Sequence, residues 1–314
     1  MNKIGKILFP GGIIFILLIN FLWITTNYVK ADSFTPFLDF ATDPKLISKV
    51  LGGNQDEQNF KTDLATGAAV YNQKIDLPEG RNGLTSEVSL SYNSQSGADD
   101  SEVGYGWNLI SGGSIERTTE YGVEDIYTTN EFNLSMNGNS GKLLPINLVD
   151  DSHGEYGLQV EEKFYKYEFL LDDSWLITDQ NGTQYKFGQT TDSRLDDPND
   201  NTRIFSWELD EITNTNNNTI NYLYFKEDGQ IYPAEINYDP FSVVFNRQAR
   251  NDETKWYDKG FEVQTTYLIS NIEVFIDNYA NNDPAREYEL TYTTGDNGRR
   301  SLLHSITERG RNEA

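Results

Sequence analysis

The chain contains no cysteine in 314 residues. Disulfides and thiolate metal sites are thereby excluded, and any fold must be held by an apolar core and by backbone hydrogen bonds. Histidine is nearly as scarce, with His153 in a glycine-flanked turn and His304 in a predicted strand as the only two. A zinc site, which draws on cysteines or closely spaced histidines, is not expected from such a pair. No Gly-x-Ser-x-Gly elbow accompanies either one, so a Ser-His-Asp triad has no local support. Positive charge is outnumbered, 25 Lys and Arg against 49 Asp and Glu, for a net charge of −24. Binding to nucleic-acid phosphates or anionic lipid needs Lys/Arg patches, which so acidic a composition disfavours. Helical periodicity is missing as well: from Phe60 onward no 3.6-residue pattern of useful length occurs.

Long apolar runs are confined to the N-terminus. Lys3 and Lys6, an apolar stretch from Ile7 to Ile24 and Val29-Lys30-Ala31 fit a signal segment cleaved after Ala31. The stretch is close to the roughly 20 residues that span a bilayer, so an uncleaved anchor is the alternative. Loss of residues 1–31 would remove three lysines and no acids, taking the charge to −24 − 3 = −27. Residues 32–58 then hold Leu46, Ile47, Val50 and Leu51 on one helical face, which predicts a short helix opened by Asp43-Pro44 and closed by Gly52-Gly53.

What is abundant is β-forming: 13% aromatic residues, 19 of them tyrosine, in short runs punctuated by Gly, Asn and Asp. The pattern predicts an all-β chain, an antiparallel meander of β-sheets behind an N-terminal signal segment and one short helix. Val70–Leu77 and Leu84–Tyr92 alternate with period two around the turn Pro78-Glu79-Gly80-Arg81-Asn82-Gly83, which argues a hairpin or neighbouring strands. Strands are also expected over Glu162–Leu171 and Ser174–Phe187, the second turning at 179–182. The polar stretch 189–203 is the best boundary. It separates a region 59–190 from a region 191–314, in which Ser206–Ile212, Thr219–Tyr224, Tyr232–Tyr238, Tyr267–Ile276, Arg286–Tyr292 and Leu302–Arg309 continue the meander.

Candidate chemistry is thin. Asp99-Asp100, Asp172-Asp173 and Asp196-Asp197 are carboxylate pairs, but with 49 acids such pairs arise by abundance, and solvated turns explain them. Asp197, Asn199, Asn201 and Glu208 have the spacing of calcium-loop ligands, yet Thr202 stands where the loop needs glycine and no helices flank it. A calcium loop of another geometry stays open beside a plain solvated loop. Gly104-Tyr105-Gly106-Trp107-Asn108-Leu109 reads as a tryptophan packed over glycine bends in preference to a ligand platform. Arg81 and Arg117 either pair with buried carboxylates or stand as an exposed turn arginine and a strand-end arginine. No catalytic, cofactor-binding or metal-ligating residue and no cofactor is assigned.

The order of these elements carries a resemblance. TGAAVY, LPEGRNGL, VSLSYNSQSG, GYGWNL and SIER within residues 66–117, then the WxLxxI, NTIxYxY and YPxxIxY elements at 207–238, REYELTY and LLHSITERG, together resemble the N-terminal region of SpvB-like virulence proteins. That region is shared with the B component of insecticidal toxin complexes and stands ahead of RHS/YD-repeat shells. The resemblance covers roughly residues 62–310 and implies a non-enzymatic, exported β scaffold that helps enclose or deliver a C-terminal effector. It also implies contacts with other toxin-complex or RHS shell segments and subunits, while the acidic composition and the lack of a later apolar span lead to the expectation of no nucleic-acid partner and no membrane partner beyond an N-terminal anchor. In the family, a propeller-like insertion, RHS repeats and a variable effector follow the ITERG-like element, so the chain is expected to be a family N-terminal region standing alone or cut short. The alternative function is an extracellular carbohydrate- or surface-binding adhesin module with Tyr and Trp stacking on sugars; a carboxylate-pair hydrolase ranks behind both.

Overall fold

The structure is a computed structural model that describes residues 60–311 apart from 65, 98–100, 137, 162, 277–282 and 296–299. The expected signal segment and the helix around Leu46–Leu51 lie outside the described residues. Within them the chain is nearly all β, with two single 3₁₀ turns at Arg81–Gly83 and Val123–Asp125.

Four strands make a small antiparallel sheet: β1 (Phe60–Thr62), β2 (Ala69–Ile75), β3 (Val88–Asn93) and β4 (Trp107–Ile110), in that order. The two alternating runs noted above become β2 and β3, paired from Val70↔Asn93 to Ile75↔Val88. In the connection, Asn82 and Gly83 adopt φ of 54° and 75°, a left-handed pair that asparagine and glycine tolerate best.

The next strands close on themselves. β5 (Gly113–Arg117), β6 (Phe132–Met136), β7 (Asn139–Leu148), β8 (Gly154–Leu158), β9 (Lys166–Phe169), β10 (Trp175–Thr178) and β11 (Gln184–Phe187) pair in sequence order. The polar stretch at 189–203 holds the hairpin of β12 (Arg194–Asp197) and the start of β13 (Asp200–Thr213). β13 accepts β11 at Leu209–Thr213 on one edge and β5 at Ser206–Glu208 on the other. The ring β5-β6-β7-β8-β9-β10-β11-β13 is therefore a closed eight-stranded antiparallel barrel, which removes its strand edges.

An eight-stranded interior is just wide enough to be filled by side chains. Alternation aims Ile115, Phe132, Leu134, Leu143, Tyr156, Tyr167, Phe169, Trp175, Ile177, Phe187, Trp207 and Leu209 inward, all of them buried. Cross-strand pairing stacks them into a belt, Phe169↔Trp175, Trp175↔Phe187 and Phe187↔Leu209.

Beyond the β5 pairing, the edge of β13 opposite β11 pairs through Glu211–Thr213 with β14 (Thr219–Glu227), beginning a meander through β15 (Gln230–Tyr238), β16 (Phe241–Trp256), β17 (Val263–Ile276), β18 (Arg286–Thr294) and β19 (Ser301–Gly310). One face of this meander packs on the small sheet: Ile220, Tyr222, Ile236, Tyr238, Val243, Ile272, Tyr288 and Leu290 share a core with Ile75, Val88 and Leu90. Tyrosine hydroxyls stitch the layers, Tyr222 to Ser86 Oγ at 3.1 Å, Tyr238 to the Pro78 carbonyl at 3.1 Å, and Tyr288 accepting from the Asp76 N–H at 3.1 Å. These hydroxyls satisfy polar groups that the sandwich would otherwise bury unpaired.

Candidate functional site

The densest chemistry sits in the barrel interior. Arg117 ends β5 on the same inward parity as Ile115, so its guanidinium enters a ring of aromatics, with Phe132 at 5.1 Å, Trp207 at 5.6 Å and Tyr127 at 5.6 Å from ring centroid to Cζ. Nε donates to the Ile204 carbonyl at 2.8 Å and Nη1 to the Thr129 carbonyl at 3.3 Å. Burial draws its pKa below the ordinary arginine value, and the planar, weakly hydrated guanidinium still keeps its charge there. Phe132, Trp175 and Trp207 meet edge to face around it, Phe132 and Trp175 at 4.9 Å.

His153 closes one end of this interior. It sits between β7 and β8 and stacks on Phe169 at 4.6 Å. Its Nδ1 lies 2.8 Å from Asp150 Oδ2 and its Nε2 3.0 Å from Asp173 Oδ1, Asp173 belonging to the β9–β10 turn. Burial opposes the charge on the ring, the two carboxylates outweigh it, and the pKa is raised. His304, by contrast, is exposed on β19 in the other half of the fold. The two histidines are not brought together.

Among the described residues, the acid pairs Asp172-Asp173 and Asp196-Asp197 do not form a paired-carboxylate site. Asp172 Oδ1 caps its own turn, accepting from Ser174 N and Oγ, while Asp173 pairs with His153. Asp196 meets the Lys226 ammonium, and Asp197 meets Arg203 Nη1 at 2.7 Å. Asp99 and Asp100 lie outside the described residues. Asp197, Asn199 and Asn201 occupy the tight β12–β13 hairpin, whereas Glu208 lies eight residues beyond the Asp200 end of β13, opposite Ser114 of β5. Among the described residues no three His, Asp or Glu side chains gather as a metal-binding group.

Glu208 has an environment that its sequence position did not signal. Burial, reinforced by Glu116, Glu102 and Asp210, pushes its carboxyl up to about 8. Arg81 is exposed and pairs with the equally exposed Asp239 at 2.6 Å. Trp107 packs between Tyr71 and Tyr92 at 5.9 and 5.3 Å. Gly106 lets Tyr92 approach, since a Cβ there would lie 2.8 Å from the ring. Two polar concavities of about 400 and 460 Å³ lie on the β14–β19 meander, the first lined by Thr219, Asn221 and Asn237, the second by Arg250, Asp252 and Tyr292; neither contains a histidine.

A closed barrel sharing one continuous strand with a sandwich, its interior filled by aromatic side chains, defines a β-scaffold class of domain. Residues 64–240, more than half of the chain, match the family described as Salmonella virulence plasmid 65kDa B protein, SpvB. The chain belongs to this family. It is 27% identical over 172 residues to the mono(ADP-ribosyl)transferase SpvB of Salmonella choleraesuis strain SC-B67, and equally so to that of Salmonella typhimurium strain 14028s. Those alignments cover 47% of this chain and 28% of each relative, so the chain spans well under half the length of the proteins it matches. The N-terminal domain of effector protein SpvB from Salmonella typhimurium strain LT2 superposes with TM-score 0.65 at 18% identity, covering 76% of this chain and 98% of that domain. TcdB2-TccC3 superposes with TM-score 0.65 at 18% identity over 79% of this chain and 16% of its own. The Photorhabdus luminescens Tc holotoxin pore gives 0.63 at 17% identity over 82% and 16%.

Proposed function

We propose that this chain is an exported, non-enzymatic scaffold, the SpvB-type β region of a toxin shell that encloses or delivers an effector carried elsewhere. The observation that carries this is the barrel interior: where a β-barrel enzyme or binding protein would open a cavity, Phe132, Trp175 and Trp207 pack around Arg117. Such an interior supports rigidity and presentation of outer surfaces. The likeness to the SpvB N-terminal domain and to Tc toxin assemblies supports the same role, with other shell subunits or repeat segments as partners. The relatives are named for a mono(ADP-ribosyl)transferase activity, and on this reading that activity belongs to the part of their length that this chain does not match.

The test is co-expression of this chain with an RHS-repeat subunit encoded in the same genome, followed by size-exclusion chromatography and limited proteolysis. Co-elution with protection of the repeat subunit is the expected result; separate elution with no protection overturns the reading. Binding of the isolated chain to a glycan array would favour the adhesin alternative.

A further inference from the structure

We propose that His153 is a pH-sensitive latch: as an imidazolium it ties the β7–β8 turn to the β9–β10 turn and caps the aromatic interior of the barrel, and its deprotonation releases both turns.

The geometry demands the charged form. Both ring nitrogens face carboxylate oxygens, Nδ1 at 2.8 Å from Asp150 and Nε2 at 3.0 Å from Asp173. An ionised carboxylate only accepts, and a neutral imidazole carries a single N–H. Only the imidazolium donates to both at once; either neutral tautomer would set a ring lone pair against a carboxylate. Asp150 is locked in its accepting role, because Oδ1 also accepts the Ser152 and His153 N–H groups at 2.9 and 2.7 Å, which hold its carboxyl at about 2.

Both turns are anchored behind the latch. Asp173 sits in left-handed backbone, φ 60°, and its carbonyl accepts the Trp207 indole N–H at 2.6 Å. The His153 ring lies on Phe169, itself stacked on Trp175 at 4.7 Å. The other charged and titratable groups around it are Asp151 on its own turn, Asp172 on the facing turn, Tyr156 on β8, Arg117 on β5 and Arg194 on β12. Tyr156 donates to the Ser152 carbonyl at 2.5 Å and is pushed up to about 12 by burial. Arg117 attracts Asp173 from inside the barrel, and Arg194 Nη2 donates to the Asp172 carbonyl at 2.7 Å. Among the described residues, His153 is the group that bridges the two carboxylates.

The sign follows from linkage. A histidine whose folded pKa is raised stabilises fully below its unfolded value, near 6.5, and the stabilisation disappears as pH rises through the folded value. The latch therefore holds below a free histidine's midpoint and opens as pH rises through the raised folded value.

The experiment is a pH titration of the full chain from 5 to 10, reading the imidazole signals by nuclear magnetic resonance, with His304→Gln assigning the two rings. Amide exchange at Val149, bonded to the His153 carbonyl at 2.8 Å, and at Leu170, bonded to the Ser174 carbonyl at 2.8 Å, is followed in parallel and corrected for intrinsic rates. Expected are two protonated nitrogens on His153 at pH 5, a midpoint above that of a free histidine, and a roughly ten-fold loss of protection at both amides across it. Asp173→Asn lowers the midpoint while the barrel stays folded, and His153→Gln gives low protection at every pH. A single protonated nitrogen at pH 5, a midpoint at or below a free histidine's, or protection that ignores the titration overturns the latch, and the wild-type protein alone decides if His153→Gln does not fold.

Discussion

The indole N–H of Trp207 donates to the main-chain carbonyl of Asp173 at 2.6 Å across 34 residues of sequence. Trp207 belongs to β13, the one strand shared by barrel and sandwich, and Asp173 to the hairpin turn that faces His153. Through this bond the strand that joins the two halves also fixes the end of the barrel. The same ring packs edge to face with Phe169 at 5.5 Å and Phe132 at 5.7 Å.

Replacing Trp207 with phenylalanine keeps an aromatic ring and deletes the donor, so the part-buried Asp173 carbonyl loses the indole N–H. A loss of about 1–3 kcal/mol is expected, and about 3–5 kcal/mol for Trp207→Ala, which also opens a cavity. Because β13 is common to both halves, barrel and sandwich should unfold in one transition at a lower denaturant midpoint. An unchanged midpoint for Trp207→Phe would contradict the bond's role.

Gly188 has φ 65°, and a Cβ added there would fall 2.1 Å from the Trp207 ring. Gly67 has a similar φ of 74° with nothing within 4 Å. Gly188→Ala therefore combines backbone strain with a steric clash, and should cost on the order of 3 kcal/mol or more. Gly67→Ala meets strain alone and should cost about 1 kcal/mol. Thermal melts of the two variants separate the effects; equal losses would mean that the ring moves aside freely.

Much of the local structure was legible from period and punctuation. The β2–β3 hairpin, the β10–β11 hairpin with its Asp179–Gly182 turn, and the strands β13, β14 and β15 follow from alternation bounded by Gly, Asn and Asp. β16 was not legible, because Asn246 to Lys255 is rich in charge and amide and reads as a loop, while in the fold it pairs with β17 around a register break between Ala249 and Thr254. The barrel was hidden for a different reason: closure depends on β13 using both edges at different points along its length, and no local pattern encodes that. Arg117 read either as a partner for a buried carboxylate or as a strand-end arginine, and neither reading shows the aromatic cage, which is assembled from residues 10 to 90 positions away. The His153 site had only half a signal, since Asp150 is a near neighbour and Asp173 is supplied by a separate hairpin.

Arg250 and Asp252 form a bidentate pair at 3.1 Å for both bonds, with the arginine side chain 1% exposed. Asp252 also accepts the Ser301 N–H at 2.5 Å and hydroxyl at 2.6 Å, and Arg250 Nη1 donates to the Ser101 carbonyl at 3.3 Å. The pair thus clips β16, the β3–β4 loop and β19 together. Asp252→Leu strands a buried cation and should cost about 3–5 kcal/mol, whereas combining it with Arg250→Met should recover much of that loss. Denaturant midpoints for the two single variants and the double variant measure the coupling; strictly additive losses would mean the groups act independently.

Glu208 supplies the clearest pH signature of the folded chain. Its carboxyl is pushed from the ordinary value near 4.5 up to about 8, first by burial and then by Glu116. Between these values the folded chain holds a proton that the unfolded chain has released, so stability falls as pH rises from about 5 to about 8. The residue is only partly withdrawn from solvent, which holds the penalty to on the order of 2 kcal/mol at pH 8.5. Glu208→Gln removes the titrating group and keeps the shape and the Ser206 hydroxyl contact at 3.4 Å. The variant should match the wild type at pH 5 and exceed it at pH 8.5 in denaturant midpoint, flattening the decline between them. A wild-type curve that is level over this range, or a variant that declines as steeply, would place the charge of Glu208 in water and not in the fold.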